Sequence, residues 1–493
     1  MPERVTGIRP EREVSRSRSS RQSRRRAERE GGPEVMAFDR AQHQKPGQPG
    51  WAREGRGEAP AHRVRDEARP ACHQPQGPGR TGLMEQALSR ENIALAWKHV
   101  KANKGSRTAG VDGLSVEQTL EYLKTHKARI RTELLSGRYR PQAVRRVEIP
   151  KPGGGVRELG IPTIVDRLIQ QALLQVLQPL IDPTFSEFSY GFRPGRRAHD
   201  AVKQAHRYVQ EGFRFVVDID LEKFFDRVNH DILMDRLAKR VGDKAVLRLI
   251  RRYLQAGIMR DGVVMERTEG TPQGSPLSPL LANVMLDEVD RILQQRKHRF
   301  ARYADDLNVY VRSQRAGERV LRSMRAIYEK LHLRVNETKT VVGPAFGRKF
   351  LGYCFRRWSG GAVKIAVAPQ ALHTYKQRIR EITRRAGGRS MEQVAERLRN
   401  YMPGWKTYFQ LAQTPATFKG LDSWLRRRLR AIQLKHWKRG TTIYRSLRRL
   451  GATHELAASV AMTRKRWWHS SRSDVHQILT DAYFDRLRVP RLA

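Results

Sequence analysis

The chain has 493 residues, with 96 Lys and Arg against 50 Asp and Glu, a formal net charge of +46. No run of eighteen apolar residues occurs, which excludes a membrane-spanning helix, and the basic N-terminus is not followed by the apolar stretch of a secretory signal. Two cysteines, Cys72 and Cys354, cannot make a disulfide scaffold or a Cys-based zinc site; so large a positive excess self-repels unless a polyanion neutralises it, so the expected setting is intracellular and the expected partner is nucleic acid.

Residues 1–82 are rich in Arg, Gly, Pro, Ser and Gln, with sparse apolar residues and no hydrophobic period. Such a stretch cannot bury enough surface to offset chain entropy, so it is predicted to be disordered. It reads either as a nonspecific basic arm or as the product of an upstream start, since Met84 immediately precedes the first amphipathic pattern. Residues 83–357 have the composition of a mixed globular domain. Leu168, Ile169, Ala172, Leu173, Val176, Leu177 and Leu180 form a buried helix face, with Thr163 and Asp166 at its start and Asp182-Pro183 at its close. Residues 213–219 and 307–311 read as short strands, and strands mixed with helices predict an α+β layer. Residues 358–493 read as helical. From 371 onward, 27 Lys and Arg face 8 Asp and Glu, and five of the eight tryptophans lie there. Leu372, Tyr375, Ile379 and Ile382 share one helix face, and Leu421, Trp424, Leu425, Leu429 and Ile432 another. The second is flanked by Arg426, Arg427, Arg428 and Arg430, which predicts an apolar seam with a basic exterior.

The chemistry concentrates in the middle segment. Tyr303-Ala304-Asp305-Asp306 sits between apolar flanks, as the tip of a β-hairpin would. Adjacent carboxylates repel unless cations lie between them, although an adjacent Asp pair alone arises by chance about once in a chain of this length. An apolar strand ending in Asp218 and Asp220 strengthens the signal, because alternation puts these two on one face, from which one could reach the hairpin tip. Three convergent carboxylates suit hard divalent cations such as Mg²⁺, and two such ions support phosphoryl transfer. The loop Gly270-Thr-Pro-Gln-Gly-Ser-Pro-Leu-Ser-Pro279 fixes an unusual backbone ahead of a helix, with Gln273 as a polar probe for a nucleotide. The hairpin Ile149-Pro-Lys-Pro-Gly-Gly-Gly-Val-Arg-Glu158 offers Lys151 and Arg157 to a triphosphate without being a P-loop. Ser189-Tyr-Gly-Phe-Arg-Pro-Gly-Arg196 offers backbone and basic contacts to a template, through Arg193 and Arg196.

The ordered series IPKPGGGVRELGIP, SYGFRPGR, DIDLEKFFDRVNHD, GTPQGSPLSPLLANVMLDE, RYADD, LRVNETKT and FLGY resembles reverse transcriptases of the group II intron-encoded, maturase type, over roughly residues 84–490. The resemblance implies a right-hand polymerase of fingers and ferredoxin-like palm, followed by an α-helical thumb and X maturase region, to which YMPGWKTYF and WLRRRLRAIQLKHWKR correspond. It implies catalysis by Asp220, Asp305 and Asp306, with Ile219 as a further metal contact and Asp218 as the fallback ligand. Asp220 is preferred because Phe225, five positions on, matches the aromatic residue that excludes a ribose 2′-OH. Lys151, Arg157, Phe225, Gln273 and Lys339 would contact the dNTP, and Ser275 stands where related proteins often have Gly. Arg193, Arg196, Arg426, Arg427, Arg428, Arg430, Lys435 and Lys438 would contact nucleic acid.

The same resemblance implies two Mg²⁺ ions, dNTPs, a DNA target and primer, and group II intron RNA, which the protein would help fold for splicing. It implies no membrane, a bacterial cytoplasmic ribonucleoprotein on the nucleoid, and retrohoming; it leaves monomer and dimer open. The absence of HNH-type Cys and His residues predicts no second-strand cleavage and a class C-like lineage. Two rival readings stand beside this one: a maturase that binds RNA without polymerising, and a retron, diversity-generating or defence reverse transcriptase.

Overall fold

The computed structural model describes residues 82–150, 156–260, 263–265, 267, 269–384, 387–463, 467–471 and 475–493. The disordered segment expected over 1–82 lies, but for Gly82, outside them.

The described chain starts with three helices, α1 (Leu83–Ala87), α2 (Arg90–Ala102) and α3 (Val116–Leu135). Ser89 caps α2 by accepting from Asn92 N, and Ser115 with Gln118 forms a reciprocal capping box on α3. An antiparallel hairpin follows, β1 (Val144–Pro150) and β2 (Val156–Ile161). The expected helix is α4 (Ile164–Ile181), capped by Thr163 and buried along most of its length. Next come α5 (Ala198–Gln210), β3 (Phe215–Ile219), α6 (His230–Ala238), α7 (Lys244–Gln255), β4 (Ile258–Arg260), β5 (Val263–Met265) and α8 (Ser278–Gln295). The predicted hairpin is β6 (Arg299–Tyr303) and β7 (Asp306–Val311), followed by α9 (Gln314–Lys330) and β8 (Val341–Pro344).

These strands form two four-stranded sheets, β2-β1-β4-β5 and a central β6-β7-β3-β8. Period-two alternation divides the central sheet between two cores. Val217, Ile219, Leu307, Val309 and Phe300 face the large core built with α4, α7 and α8. Val216, Ala301 and Tyr310 face a second core with α5. Asp218, Asp220 and Asp306 lie on that second face, in step with Val216.

β9 (Tyr353–Arg357) and β10 (Val363–Val367) pair across the 357/358 boundary expected from the sequence, with Gly360 and Gly361 at φ 71° and 78° reversing the chain between them. Helices take over only at Pro369. They are α10 (Pro369–Ile382), α11 (Met391–Tyr408), α12 (Pro415–Trp437), α13 (Gly440–Arg449), α14 (His454–Met462), α15 (Trp467–Ser470), α16 (Val475–Ile478) and α17 (Asp481–Arg486). Their apolar faces, including Tyr375, Ile379, Leu425 and Leu429, meet in a core of their own. Among the described residues no helix is long and apolar enough to cross a membrane.

Candidate active site

The β3–β7 register sets the site. Residues pair antiparallel from Phe215↔Val311 to Ile219↔Leu307, and one further step brings Asp220 opposite Asp306. Opposed residues on antiparallel strands share a face at about 4.5–5.5 Å between Cβ atoms. Asp305 stands beside them in the two-residue turn joining β6 to β7, where Ala304 takes φ 57°. Ile219 keeps its side chain in the core.

Asp220 is held from a third segment. Its N–H donates to Thr340 Oγ1 at 3.2 Å, and its carbonyl accepts from Asn336 N at 2.8 Å. Its Oδ2 lies 3.2 Å from Lys339 Nζ, on a lysine side chain 65% exposed. Asp218 is engaged differently. With its amide nitrogen turned toward Asp218, Asn308 donates to Oδ1 at 2.9 Å, and Arg348 Nη1 lies 3.7 Å from Oδ2. Among the described residues, no three His, Cys, Asp or Glu side chains are already drawn together as a metal cage. The donors at this corner are nonetheless all oxygens, the ligand type that hard divalent cations take.

Beneath the turn lies a buried polar brace that the sequence reading missed. Arg302 has no exposed surface, and all five of its N–H donors find acceptors. Nε donates to Asp290 Oδ1 at 2.9 Å, and Nη1 to Asn283 Oδ1 at 2.9 Å and to the Ala304 carbonyl at 2.8 Å. Nη2 donates to Ser189 Oγ at 2.7 Å and to Asp290 Oδ2 at 2.5 Å. Burial pushes the Asp290 carboxyl up against Arg302's pull, and Asp290 in turn holds the Arg302 guanidinium above its ordinary value despite burial. The available signal was polarity inside apolar runs: Asn283, Asp287 and Asp290 on one helix, and Arg302 within a strand.

The SYGFRPGR segment is part of this brace. Residues 188–190 run along β6, with Arg302 N donating to Phe188 O and Tyr190 N donating to Arg302 O. Gly191 lies under the turn itself; a Cβ there would sit 2.1 Å from Ala304 N, so no other residue fits. Arg193, expected to face a template, is turned inward in this structure. It is buried, donating to Asp182 Oδ1 at 2.9 Å and to the Ser189 carbonyl at 3.0 Å, and lies over the Phe185 ring. These acceptors occupy its fork, so it closes the end of α4. Arg196 is more accessible, stacking over Tyr190 at 5.6 Å.

Two loops meet beside the carboxylates. The turn after β3 carries Phe225, half-buried with its ring 5.1 Å from that of Phe224. Thr271 N donates to Phe225 O at 2.7 Å and Gly270 N to Val228 O at 2.8 Å, so the GTPQG loop is sewn to this turn. Gly270 has φ 87°, and a Cβ on it would meet Asp226 O at 2.8 Å. His230 Nε2 shares a hydrogen bond with Gly270 O at 2.7 Å, and burial lowers its pKa. The other side of the loop rests on β2, where Gly160 N donates to the Gln273 carbonyl at 2.9 Å. Gln273 is thus placed between β2 and the start of α8. Ser275 is buried, its hydroxyl bonded to Ser278 Oγ at 2.7 Å. Arg157 is exposed on β2, opposite Ile149. Lys151 lies outside the described residues.

The basic run on α12 does not form the exterior strip that its sequence suggested. Arg426 is buried, with Nη2 3.1 Å from Asp485 Oδ1. Arg427 lies 4.0 Å over Trp468 and Arg428 5.3 Å over Trp424, and Arg428 Nε donates to Thr383 Oγ1 at 2.7 Å. Arg430 Nε donates to the Leu479 carbonyl at 2.8 Å. Burial lowers the pKa of both Arg426 and Arg430. The mutual repulsion expected of the run is relieved by a carboxylate, a hydroxyl, a carbonyl and the Trp468 indole of neighbouring segments, and by Trp424 on α12 itself. Lys435 is half-buried over Trp467, while Lys438 is exposed at the end of α12.

Residues 149–355 match the family described as reverse transcriptase (RNA-dependent DNA polymerase), and residues 372–451 match the group II intron maturase-specific domain. Protein YkfC of Escherichia coli (strain K12) is 33% identical over 299 residues, covering 53% of this chain and 78% of YkfC. Group II intron-encoded protein LtrA of Lactococcus lactis subsp. cremoris is 35% identical over 228 residues, covering 45% of this chain but only 37% of LtrA. A putative COX1/OXI3 intron 2 protein of Saccharomyces cerevisiae is 31% identical over 206 residues, covering 41% of this chain and 24% of that protein. The chain belongs to the group II intron-encoded reverse transcriptases and maturases, with the RNA-directed DNA polymerase domain of that family followed by its maturase domain.

Proposed function

We propose that the corner formed by Asp220, Asp305 and Asp306 is the polymerising centre, where a primer is extended with dNTPs along an RNA template during retrohoming. The observation that carries this is the β3–β7 register, which leads Asp220 to Asp306 with Asp305 alongside. In this reading the central sheet is the palm, the β1–β2 hairpin and its helices are the fingers, and the helices from Pro369 onward are the thumb and X region.

Asp220, Asp305, Asp306 and the Ile219 backbone would hold two Mg²⁺ ions. Bound there, the ions would activate the primer 3′-hydroxyl and stabilise charge on the departing pyrophosphate. Asp220 rather than Asp218 suits this role, since the register carries Asp220 opposite Asp306 while Asp218 sits two residues back along β3, beside Asn308 and Arg348. Lys339, paired with Asp220 through an exposed side chain, would turn to the negative charge of an arriving triphosphate. Arg157 and Lys151 would close over that triphosphate. Phe225 would press against the sugar, its backbone fixed by Thr271, and Gln273 would lie beside the base. Arg196 would meet the template, and Lys438 with other exposed cations would meet intron RNA. The maturase role is to stabilise the folded intron, whose own RNA performs the splicing; the setting is a cytoplasmic ribonucleoprotein on the nucleoid.

Primer extension on an RNA template by the full chain tests this reading. Asp305→Ala should abolish dNTP incorporation with an unchanged melting temperature; unchanged incorporation would overturn the assignment.

A further inference from the structure

The central sheet ends in carboxylates at one end and in arginines at the other. Asp220 lies five residue steps beyond Phe215, the first residue of β3, roughly 17 Å of strand. Beyond Phe215, the guanidiniums of Arg299 and Arg312 lie over the ring of Phe213, at 6.0 and 5.0 Å from its centroid. Ala345 N donates to Arg214 O at 2.9 Å, and Phe346 pairs beside Phe355, so the chain leaving β8 extends the same surface. Arg357 stacks over Phe346 at 4.7 Å. Next to it Trp358 is 54% exposed and carries the Lys364 ammonium 3.6 Å from its ring centroid. The β9–β10 turn is tied back to this end of the sheet, with Val363 N donating to Gln210 Oε1 at 2.8 Å, one turn before Phe213.

Packing does not account for the exposed part of this surface. Phe213 and Phe346 pack partly against the second core, but Trp358 belongs to none of the cores, and Arg299, Arg312 and Arg357 are exposed. Among the described residues no carboxylate lies at ion-pair distance from these three arginines or from Lys364. Four cations on three rings, unneutralised on a chain of net charge +46, call for an anion that also offers flat apolar faces. Unpaired nucleotides offer both: phosphates for the cations, and bases that stack on rings and guanidinium planes. The distance from the carboxylates puts a strand bound here outside the path of extension.

We propose that this surface binds an unpaired segment of the intron RNA. The proposal rests on the reading of the chain as a protein that works bound to that RNA, and it adds a site distinct from the polymerising corner.

The test uses the full chain saturated with an RNA-template/DNA-primer duplex, so that the cleft is filled, and titrates it with a fluorescent oligouridylate of about twenty nucleotides, a length that spans single-strand sites of this kind. Trp358→Ala should weaken oligouridylate binding roughly tenfold, the loss expected for one stacked base, and Trp358→Phe should restore most of it. Arg312→Glu with Arg357→Glu should weaken it further and flatten the salt dependence by about 0.7 for each phosphate that is no longer neutralised. Extension of the preloaded primer should stay within about twofold of the parent, a factor below one base's stacking contribution. Binding unchanged in both variants overturns the proposal, as does loss of extension in step with binding, which would put the surface inside the cleft. An oligothymidylate that binds as tightly and loses the same factor in the variants would assign the surface to DNA and overturn the RNA claim. A parent chain that binds oligouridylate normally but extends no primer would instead overturn the polymerase reading.

Discussion

Helix α12 places four arginines within five positions, and the β6–β7 turn places two aspartates side by side with a third across the sheet. In the linear sequence both are concentrations of like charge that call for a counter-ion from outside. The fold treats them oppositely. Around α12, neighbouring segments bring Asp485, the Thr383 hydroxyl, the Leu479 carbonyl and the Trp468 indole to the guanidiniums, and α12's own Trp424 lies under Arg428, so the charge is answered within the protein. At the turn the answer comes one layer below: Arg302 and Asp290 neutralise each other in the core and grip the turn's backbone. For Asp220 the partner is the exposed Lys339. Charge density in a sequence therefore does not by itself mark a site: at α12 neighbouring groups take up the charge directly, whereas at the turn the core braces the backbone that carries it.

The largest effect should separate the two aspartates of β3. Asp220→Asn should lower primer extension about 10³-fold or more, since a metal-holding carboxylate contributes several kcal/mol to transition-state stabilisation. Asp218→Asn should lower it by less than tenfold, a difference below 1.4 kcal/mol. Equal losses would break the claim that the register singles out Asp220.

Breaking the brace should come next. Arg302→Met leaves Asp290 buried and unpaired, at about 3–5 kcal/mol of stability. The double variant Arg302→Met with Asp290→Leu should regain most of the melting temperature but not the extension rate, because the Ala304 carbonyl is then without its donor. Full recovery of rate would show that the brace only fills space. Arg426→Ala should cost about 2 kcal/mol, the scale of hydrogen bonds to charged groups. RNA affinity per folded molecule should hold; a fall in RNA affinity without loss of stability would return Arg426 to the surface.

Much of this contrast was legible beforehand, for identifiable reasons. The α4 period, the Thr163 cap and the hairpin around Asp305 are local patterns, and local patterns survive folding. Asp220 and Asp306 could be predicted to meet because strand alternation constrains them. The fates of Arg193 and Arg426 were not legible, because their acceptors, Asp182 and Asp485, lie 11 and 59 positions away in sequence. Nor does Gly191 announce itself: its need for no side chain comes from Ala304, more than a hundred residues on. Residues whose role depends on what packs over them carry no spacing signal.

A smaller effect concerns the loop beside Phe225. Burial lowers the His230 pKa, so the folded state favours the neutral ring that shares a proton with Gly270 O. A histidine with a folded pKa below its unfolded value stabilises the fold above about pH 6.5, and that contribution disappears as pH falls through the folded value. The melting temperature should therefore drop as the buffer is taken below pH 6.5. His230→Gln should lose about 1 kcal/mol at neutral pH, one net hydrogen bond, and should flatten this part of the pH profile. A profile unchanged by the substitution would mean that another group sets it.

The smallest effect completes the comparison. Lys438 is exposed at the end of α12, and among the described residues no carboxylate pairs with it as Asp485 pairs with Arg426. Lys438→Ala should leave the melting temperature within a degree or two, since exposed substitutions change stability by about 0.5 kcal/mol or less. It should weaken RNA binding a few-fold and reduce the salt slope by about one, as expected for one phosphate contact. Arg426→Ala should do the reverse, losing stability while keeping the slope. If both variants reduced the slope equally, the inward packing of the α12 arginines would not be what governs their contact with RNA, and the contrast between the two charged regions would fail at this helix.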